Sequence, residues 1–361
     1  MSEHEAIFLQ SLGNLLKPIE KLLQSDEVSE IMINRFDTVY EERRGIISLA
    51  QGVTFEKEQH LRAAAVNIAQ YVGKIFDSNN PSIVARLPPG IVFKKQAEKV
   101  GNSSSVLVAA PRVQIVQPPA ATDGICISIR KFPKNPITLD ELLRKGVFSN
   151  DAFEYLREKV GGRESNIIVS GGTGSGKTTL LNCLSEFIDP NERILVMEDA
   201  TELRIAGNHV LQFETQPGNL RGQGAVDMRE LVRSSLRLRP DRIIVGECRG
   251  AEALDMVQAM TTGHEGSMST CHSNSPLHAF RRLEVMMLMN DIDMPLIALR
   301  AQLAQAVNLI IQTQRFADGS RKVTEIAEVG EQASDDLKLP PITPVFKLQN
   351  NELVRVPTEK P

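Results

Sequence analysis

Eight consecutive residues at 171–178, GGTGSGKT, satisfy the spacing G-x-x-x-x-G-K-[ST] in full. Glycines at such positions let successive backbone N–H groups turn inward onto phosphate oxygens, and the helix expected after them presents its positive N-terminal end to the same anion. The predicted ligand is ATP with Mg2+. Its contacts would be Gly171, Gly172, Thr173, Gly174, Ser175, Gly176, Lys177, Thr178 and Thr179. Lys177 is placed to reach the β- and γ-phosphates and Thr178 to ligate the metal. An ordinary glycine-rich turn would need neither the lysine and threonine nor the apolar strand NIIVS before them and the helix-like KTTLLNCLSEFI after them.

Further chemistry sits where other apolar runs end. RILVMEDATEL leaves its run at Glu198 and Asp199, with Glu202 close behind; RIIVGE delivers Glu247; GSMSTCHS delivers His272. In an open α/β sheet, ligands bind beyond the carboxyl ends of the strands, so these groups should gather at the γ-phosphate. Before Glu247, where many P-loop ATPases carry a metal-holding aspartate, stands Gly246. The expected division gives Thr178 and Glu247 the metal and its water, and Glu198 or Glu202 the general base. The glycine is also expected to let the backbone approach the phosphate loop closely. A plainer reading makes Glu202 a helix N-terminal residue. His272 is expected to sense the γ-phosphate, against a purely structural role for it and for His264. Ser269 and Thr270 are weaker hydrogen-bond candidates.

These groups require a scaffold, and the pattern changes along the chain. Residues 1–132 read as a smaller α+β domain. It has a helix over 7–23 interrupted by Pro18, two strands around a turn at 35–37, a helix over 56–72, and strands in IVARLPPG and CISIRKF. A polar loop with KKQAEKVGNSSS lies between those last two strands. Residues 133–140 read as a linker stiffened by Pro133 and Pro136, with Thr138 and Glu141 at capping-box spacing. Over 141–333 strands alternate with helices, which predicts a mostly parallel sheet covered on both faces. Residues 334–361 read as a Pro-rich polar tail.

The 361 residues carry a net charge of -4, no Trp and only three Tyr, which argues against a specific nucleic-acid surface. Four scattered cysteines form no C-x-x-C pair, so zinc and a disulfide framework are both unexpected. The start MSEHEAIFLQ lacks a basic n-region followed by an apolar stretch. No apolar run approaches the roughly 20 residues of a membrane span. A cytoplasmic protein is expected.

The strings SGGTGSGKTTLLN, MEDATEL, RLRPDRIIVGECRG and TGHEGSMSTCHSNSP, in this order, resemble the type II/IV secretion ATPase superfamily: a Walker A loop, an Asp box, a Walker B with glycine for aspartate, and a His box. EIMINRFDTVYEERRG, SIRKFPKNPITLDELL and RFADGSRKVTEIAEV look most like its CpaF/TadA branch, the tight-adherence (Flp) pilus assembly ATPases. The resemblance runs from Leu22 to Val329. It implies a RecA-like P-loop motor domain behind a mobile N-terminal domain, in a homohexamer. Such a ring would hydrolyse ATP at the cytoplasmic face of the inner membrane, held there by platform proteins, to drive Flp/Tad pilus assembly or related secretion. The alternatives are the traffic ATPase of a type IV secretion or conjugation system, and a nucleotide-dependent scaffold with little turnover. The resemblance assigns Arg130 and Arg112 to the nucleotide phosphates, against ordinary strand-edge ion pairs, with Arg86 a weaker candidate; Arg237 and Arg239, at a helix end, are candidates for a neighbouring subunit's nucleotide, the alternative being a cap on the helix C-terminus. The sequence departs from the branch in a longer segment at 91–110, a short N-terminal extension, and the stretch after Val329; the tetracysteine module of type II secretion ATPases is absent.

Overall fold

Strand-period and helix-period apolar patterns occur twice along the chain; the first set closes one core and the second closes two. The computed structural model describes residues 3–43, 45–88, 110–132, 137–216, 218, 223–290, 294–331 and 338–357. Internal contacts divide the chain into two units, 1–135 and 136–361.

In the first unit, α1 (Glu3–Leu15) is followed by a 3-10 turn (Lys17–Ile19) and α2 (Glu20–Gln24). The helix expected over 7–23 is interrupted at Pro18 as anticipated, because proline has no N–H to donate and crowds the preceding turn. Then come β1 (Val28–Arg35), β2 (Thr38–Arg43), β3 (Ile46–Leu49), α3 (Glu58–Tyr71), β4 (Ser82–Arg86), β5 (Arg112–Val116) and β6 (Cys126–Arg130). They form a six-stranded sheet in the order β3-β2-β1-β6-β5-β4. Alternation places Ile31, Ile33, Val113, Ile115, Ile127 and Ile129 on one buried face, in one core with Leu12, Leu16, Leu61, Ala65 and Ile68. Glu30, Gln114, Ser128 and Arg112 alternate onto the other, less buried face. Register sets Arg86 beside Arg112 and Arg112 beside Arg130. The polar KKQAEKVGNSSS loop lies outside the described residues, as does nearly all of 91–110.

The second unit begins with α4 (Leu139–Arg144), capped as expected: Glu141 N–H donates to Thr138 Oγ1 at 3.3 Å, and the Glu141 carboxylate takes the Thr138 N–H at 3.3 Å. It continues through α5 (Asn150–Gly161), β7 (Ile167–Gly171), α6 (Lys177–Leu184), β8 (Arg193–Glu198), β9 (His209–Glu214), α7 (Met228–Ser235), β10 (Arg242–Val245), α8 (Glu252–Met260), β11 (Met268–Cys271), α9 (Pro276–Met287), α10 (Leu296–Ala306), β12 (Leu309–Arg315), β13 (Arg321–Val329), β14 (Ile342–Gln349) and β15 (Glu352–Arg355). The nine strands run in the order β15-β14-β13-β12-β7-β11-β10-β8-β9. From β12 to β9 all pairings are parallel; β13, β14 and β15 add on antiparallel. Every residue of β7, β10 and β11 is buried, as strands covered on both faces require. Ile168, Ile243 and Val245 pack with Phe280 and Leu303 in one core; Val169, Ile244 and Ile311 pack with Leu180 and Leu156 in another.

The expected tail at 334–361 is corrected here. Residues 342–355 form a hairpin that extends the sheet, and Val345, Phe346 and Leu353 are buried in it. Asn350 and Asn351 turn it with φ +47° and +72°, the left-handed pair that matches the twist of a tight hairpin.

One buried ion pair ties the base of this unit together. Arg242 opens β10 with no exposed surface. Its guanidinium meets both oxygens of Glu192 at 2.7 and 3.0 Å and donates to the carbonyls of Val160 and Gly266 at 2.8 and 3.2 Å.

Candidate functional site

The phosphate loop leaves β7 at Gly171 and enters α6 at Lys177, with Gly174 and Gly176 at φ +69° and +97°. Those left-handed conformations are open to glycine at little cost. At Gly171 the demand is spatial: a Cβ would stand 2.3 Å from Thr313 Oγ1 and 2.4 Å from Ser175 Oγ. The two hydroxyls are 2.8 Å apart, and Thr313 also donates to the Ser170 carbonyl at 3.0 Å. β12 therefore braces the loop from its flank. Arg321 Nε adds a bond to the Gly174 carbonyl at 2.8 Å. Lys177, nearly buried, donates to the carbonyls of Gly171 and Gly172, each at 3.1 Å, and to Nδ1 of His272 at 3.3 Å. Thr178 and Thr179, in the first turn of α6, stay half-buried, and Thr173 is exposed.

Strand order does the rest. β11, β10 and β8 follow β7 in sequence across the sheet, so His272, Glu247 and Glu198 emerge one beside the next. The Lys177 ammonium donates to His272 Nδ1, so the ring proton belongs on Nε2. That nitrogen lies 2.8 Å from Glu247 Oε1, without the alignment of a hydrogen bond. Burial first, then the charge of Lys177, holds the imidazole pKa below its ordinary value against the pull of Glu247, which keeps the ring neutral. Glu247 Oε2 accepts from Arg249 Nε at 2.7 Å and also from Arg249 Nη2. Arg249 Nη1 reaches Asp199 Oδ2 at 3.1 Å.

Glu198 is turned into the protein. Only 5% exposed, it accepts the backbone N–H of Glu202 at 3.0 Å and of Leu203 at 3.1 Å. Burial lifts its pKa to about 7 even though both N–H groups favour the anion. Its position explains Gly246. A Cβ there would stand 2.8 Å from Glu198 Cγ, so the space an aspartate would need is filled by the neighbouring strand's glutamate. The glycine thus admits Glu198, where a close approach to the phosphate loop was expected. No helix starts at Glu202, whose N–H serves Glu198 and whose side chain is half-buried. His264 Nδ1 lies 3.2 Å from the Ala259 carbonyl beyond α8, and Thr270 Oγ1 donates to the Gly246 carbonyl at 2.8 Å; both are local ties. Ser269 is fully buried, its hydroxyl 3.4 Å from Cys248 Sγ.

The second unit thus links the loop through Lys177 to His272, Glu247 and Arg249, and sets Glu198, with Glu202 behind it, at the end of the next strand, β8. Arg112 and Arg130 belong to the first unit, in the register row with Arg86. Arg237 and Arg239 follow α7, exposed, Arg239 in a left-handed conformation at φ +55°. Sequence reasoning missed Arg249, Thr313 and Arg321. It also missed a cavity of about 360 Å³ beside the loop, lined by Leu142, Val147, Gly176, Thr179, Leu180 and Arg321 among others. Thr313 and Arg321 come to the loop from a distant β-hairpin and left no local signal. For Arg249 the i, i+2 spacing after Glu247 was the available hint.

Fold and loop together define a RecA-like α/β P-loop unit preceded by a smaller α+β unit. The family described as "Type II/IV secretion system protein" matches residues 14–337, and the chain belongs to it. Among its relatives, a Mycobacterium tuberculosis protein named for conjugal transfer is 35% identical over 309 residues, covering 86% of this chain and 83% of its own. The type IV secretion system protein PtlH of Bordetella pertussis is 34% identical over 335 residues, covering 85% and 91%. The X-ray structure of the Legionella pneumophila ATPase DotB shares the fold with a TM-score of 0.58 at 21% identity, over 86% of this chain and 78% of that one. No helix among the described residues is long and apolar enough to cross a membrane.

Proposed function

We propose that this chain is a motor ATPase that powers transfer through a type IV secretion or conjugation system. The observation that carries the ATPase reading is the line Lys177–His272–Glu247 at the mouth of the phosphate loop, ending on a buried carboxylate oxygen, Glu247 Oε1, that has no hydrogen-bond partner. Lys177 neutralises the β- and γ-phosphates. Neutral His272 donates from Nε2 and reports the γ-phosphate to Glu247. Glu247 orients the attacking water and takes its proton, with Glu202 the second candidate base. Glu198 shapes the acidic turn on which Asp199 and Glu202 stand. The cavity beside Thr179 and Leu180 is of a size for base and ribose.

The residues fit a magnesium ion. Mg2+ is commonly held by one or two protein oxygens with phosphates and water, not by an all-protein cage. Thr178 would hold it directly and the orphaned Glu247 oxygen through a bound water, and no cluster of three His, Cys, Asp or Glu occurs among the described residues. Bound there, the ion would supply charge neutralisation on the phosphates. The family resemblance gives Arg130 and Arg112 the same task from the protein side. It also supports a homohexameric ring on the cytoplasmic face of the inner membrane, recruited by platform proteins.

The conjugal-transfer and PtlH relatives support the traffic reading over Flp/Tad pilus assembly. The branch-like strings, SIRKFPKNPITLDELL above all, support the pilus as second reading. Genes neighbouring this one decide between them: pilin and tight-adherence genes would overturn the first. For the ATPase itself, Lys177→Ala should abolish hydrolysis and sharply weaken ATP binding, and wild-type turnover in that variant would sink the assignment.

A further inference from the structure

We infer that Arg249 is a positioning residue that assigns the two oxygens of Glu247 to different tasks, clamping Oε2 so that only Oε1 addresses the site. The inference rests on the reading of Glu247 as the water-orienting group. Cys248, between the two residues, is buried and its N–H is bonded to the Thr270 carbonyl at 2.9 Å. Alternation about that buried residue sends Glu247 and Arg249 to the same side. The loop is pinned again where Glu252 Oε1 takes the N–H groups of Arg249 at 2.6 Å and Gly250 at 2.9 Å.

From this fixed backbone the guanidinium makes two different attachments. Nε and Nη2 close on the single oxygen Oε2 of Glu247, while Nη1 spans to Asp199 at the end of β8. A planar fork is suited to holding two carboxylates at a set angle; a lysine ammonium is a point charge and is not. The carboxylate rotation of Glu247 is thereby fixed, and Oε1 is left facing Nε2 of His272. Folding stability does not account for the arrangement. The Arg249 guanidinium is 55% exposed, and a pair that solvent reaches from one side contributes less than a fully buried one. Without Arg249, Glu247 would stand beside the carboxylate of Asp199 with its rotation unset.

The test uses the full chain with MgATP. Arg249→Gln should lower kcat on the order of tenfold to a hundredfold, the loss expected of a misoriented reacting group, with KM for ATP nearly unchanged. Binding of a fluorescent ATP analogue should match wild type, and melting should move by no more than about 4 °C. Arg249→Lys should recover only part of the rate. In Arg249→Ala, guanidinium ion at sub-denaturing concentration should restore turnover, a rescue that a packing role does not produce. Wild-type kcat in Arg249→Gln overturns the inference, and so does a loss that tracks melting and ignores guanidinium. Glu247→Gln run in parallel separates the two levels. If that variant still hydrolyses ATP, the reading of Glu247 has failed; if it is inactive while Arg249→Gln is normal, only the clamp has.

Discussion

Glu198→Gln should make the protein more stable at alkaline pH while leaving it unchanged in acid. In the folded chain, burial raises the Glu198 carboxyl from its ordinary 4.5 to about 7. Above the unfolded value the unfolded chain ionises this group and the folded chain resists, so stability falls as pH rises. Below 4.5 the group is protonated in both states and the penalty vanishes; above 7 it is complete. At 1.36 kcal/mol per pKa unit the full penalty is about 3 kcal/mol. For a unit of this size that corresponds to roughly 6–12 °C in melting temperature. The carboxamide keeps the shape, still accepts from the N–H groups of Glu202 and Leu203, and never ionises. Calorimetric melts of wild type and variant from acid to alkaline pH should therefore coincide at the acid end and diverge through neutrality, with the variant higher. A difference independent of pH, or a variant that melts lower at alkaline pH, would refute the argument that burial dominates at Glu198.

Three further outcomes follow from single contacts. Gly246→Ala places a methyl 2.8 Å from Glu198 Cγ and should cost about 1–3 kcal/mol, with turnover reduced because the acidic turn must shift; melts and ATPase rates on one preparation check both. Arg242→Gln leaves Glu192 without its buried partner and should destabilise by about 3–5 kcal/mol in denaturant titrations. Phe346→Ala should cost about 3–5 kcal/mol if the last hairpin is part of the core, and would be silent in a melt if residues 342–355 were a tail.

Parts of this arrangement were legible because they are local. The phosphate loop announced itself through glycines between a buried strand and a helix, and the strand-end rule alone brought Glu247 and His272 to it. The capping box at Thr138 and the break at Pro18 were equally short-range. What escaped depended on partners far along the chain. Gly246 is a glycine because of Glu198, and Gly171 because of Thr313, neither of which lies in its own motif. The closing hairpin was hidden by Pro340, Pro341 and Pro344, although the Asn350–Asn351 pair was a turn signal and Val345, Phe346 and Leu353 supplied core residues. β9 went unread because its residues are half-buried or exposed, without clean alternation.

The register that lines up Arg86, Arg112 and Arg130 has a consequence for how the first unit responds to its medium. Side chains directly opposite on neighbouring strands begin about 5 Å apart, and like charges so placed repel. Each adjacent pair is opposed by about 1 kcal/mol even with water between. Glu30 stands in register with Arg130 on the far side, where its carboxylate accepts from Ser128 Oγ. Repulsion within the row is of the kind that dissolved ions screen. Ionic strength should raise the melting temperature of this unit, and multivalent anions should do so at far lower concentration than chloride.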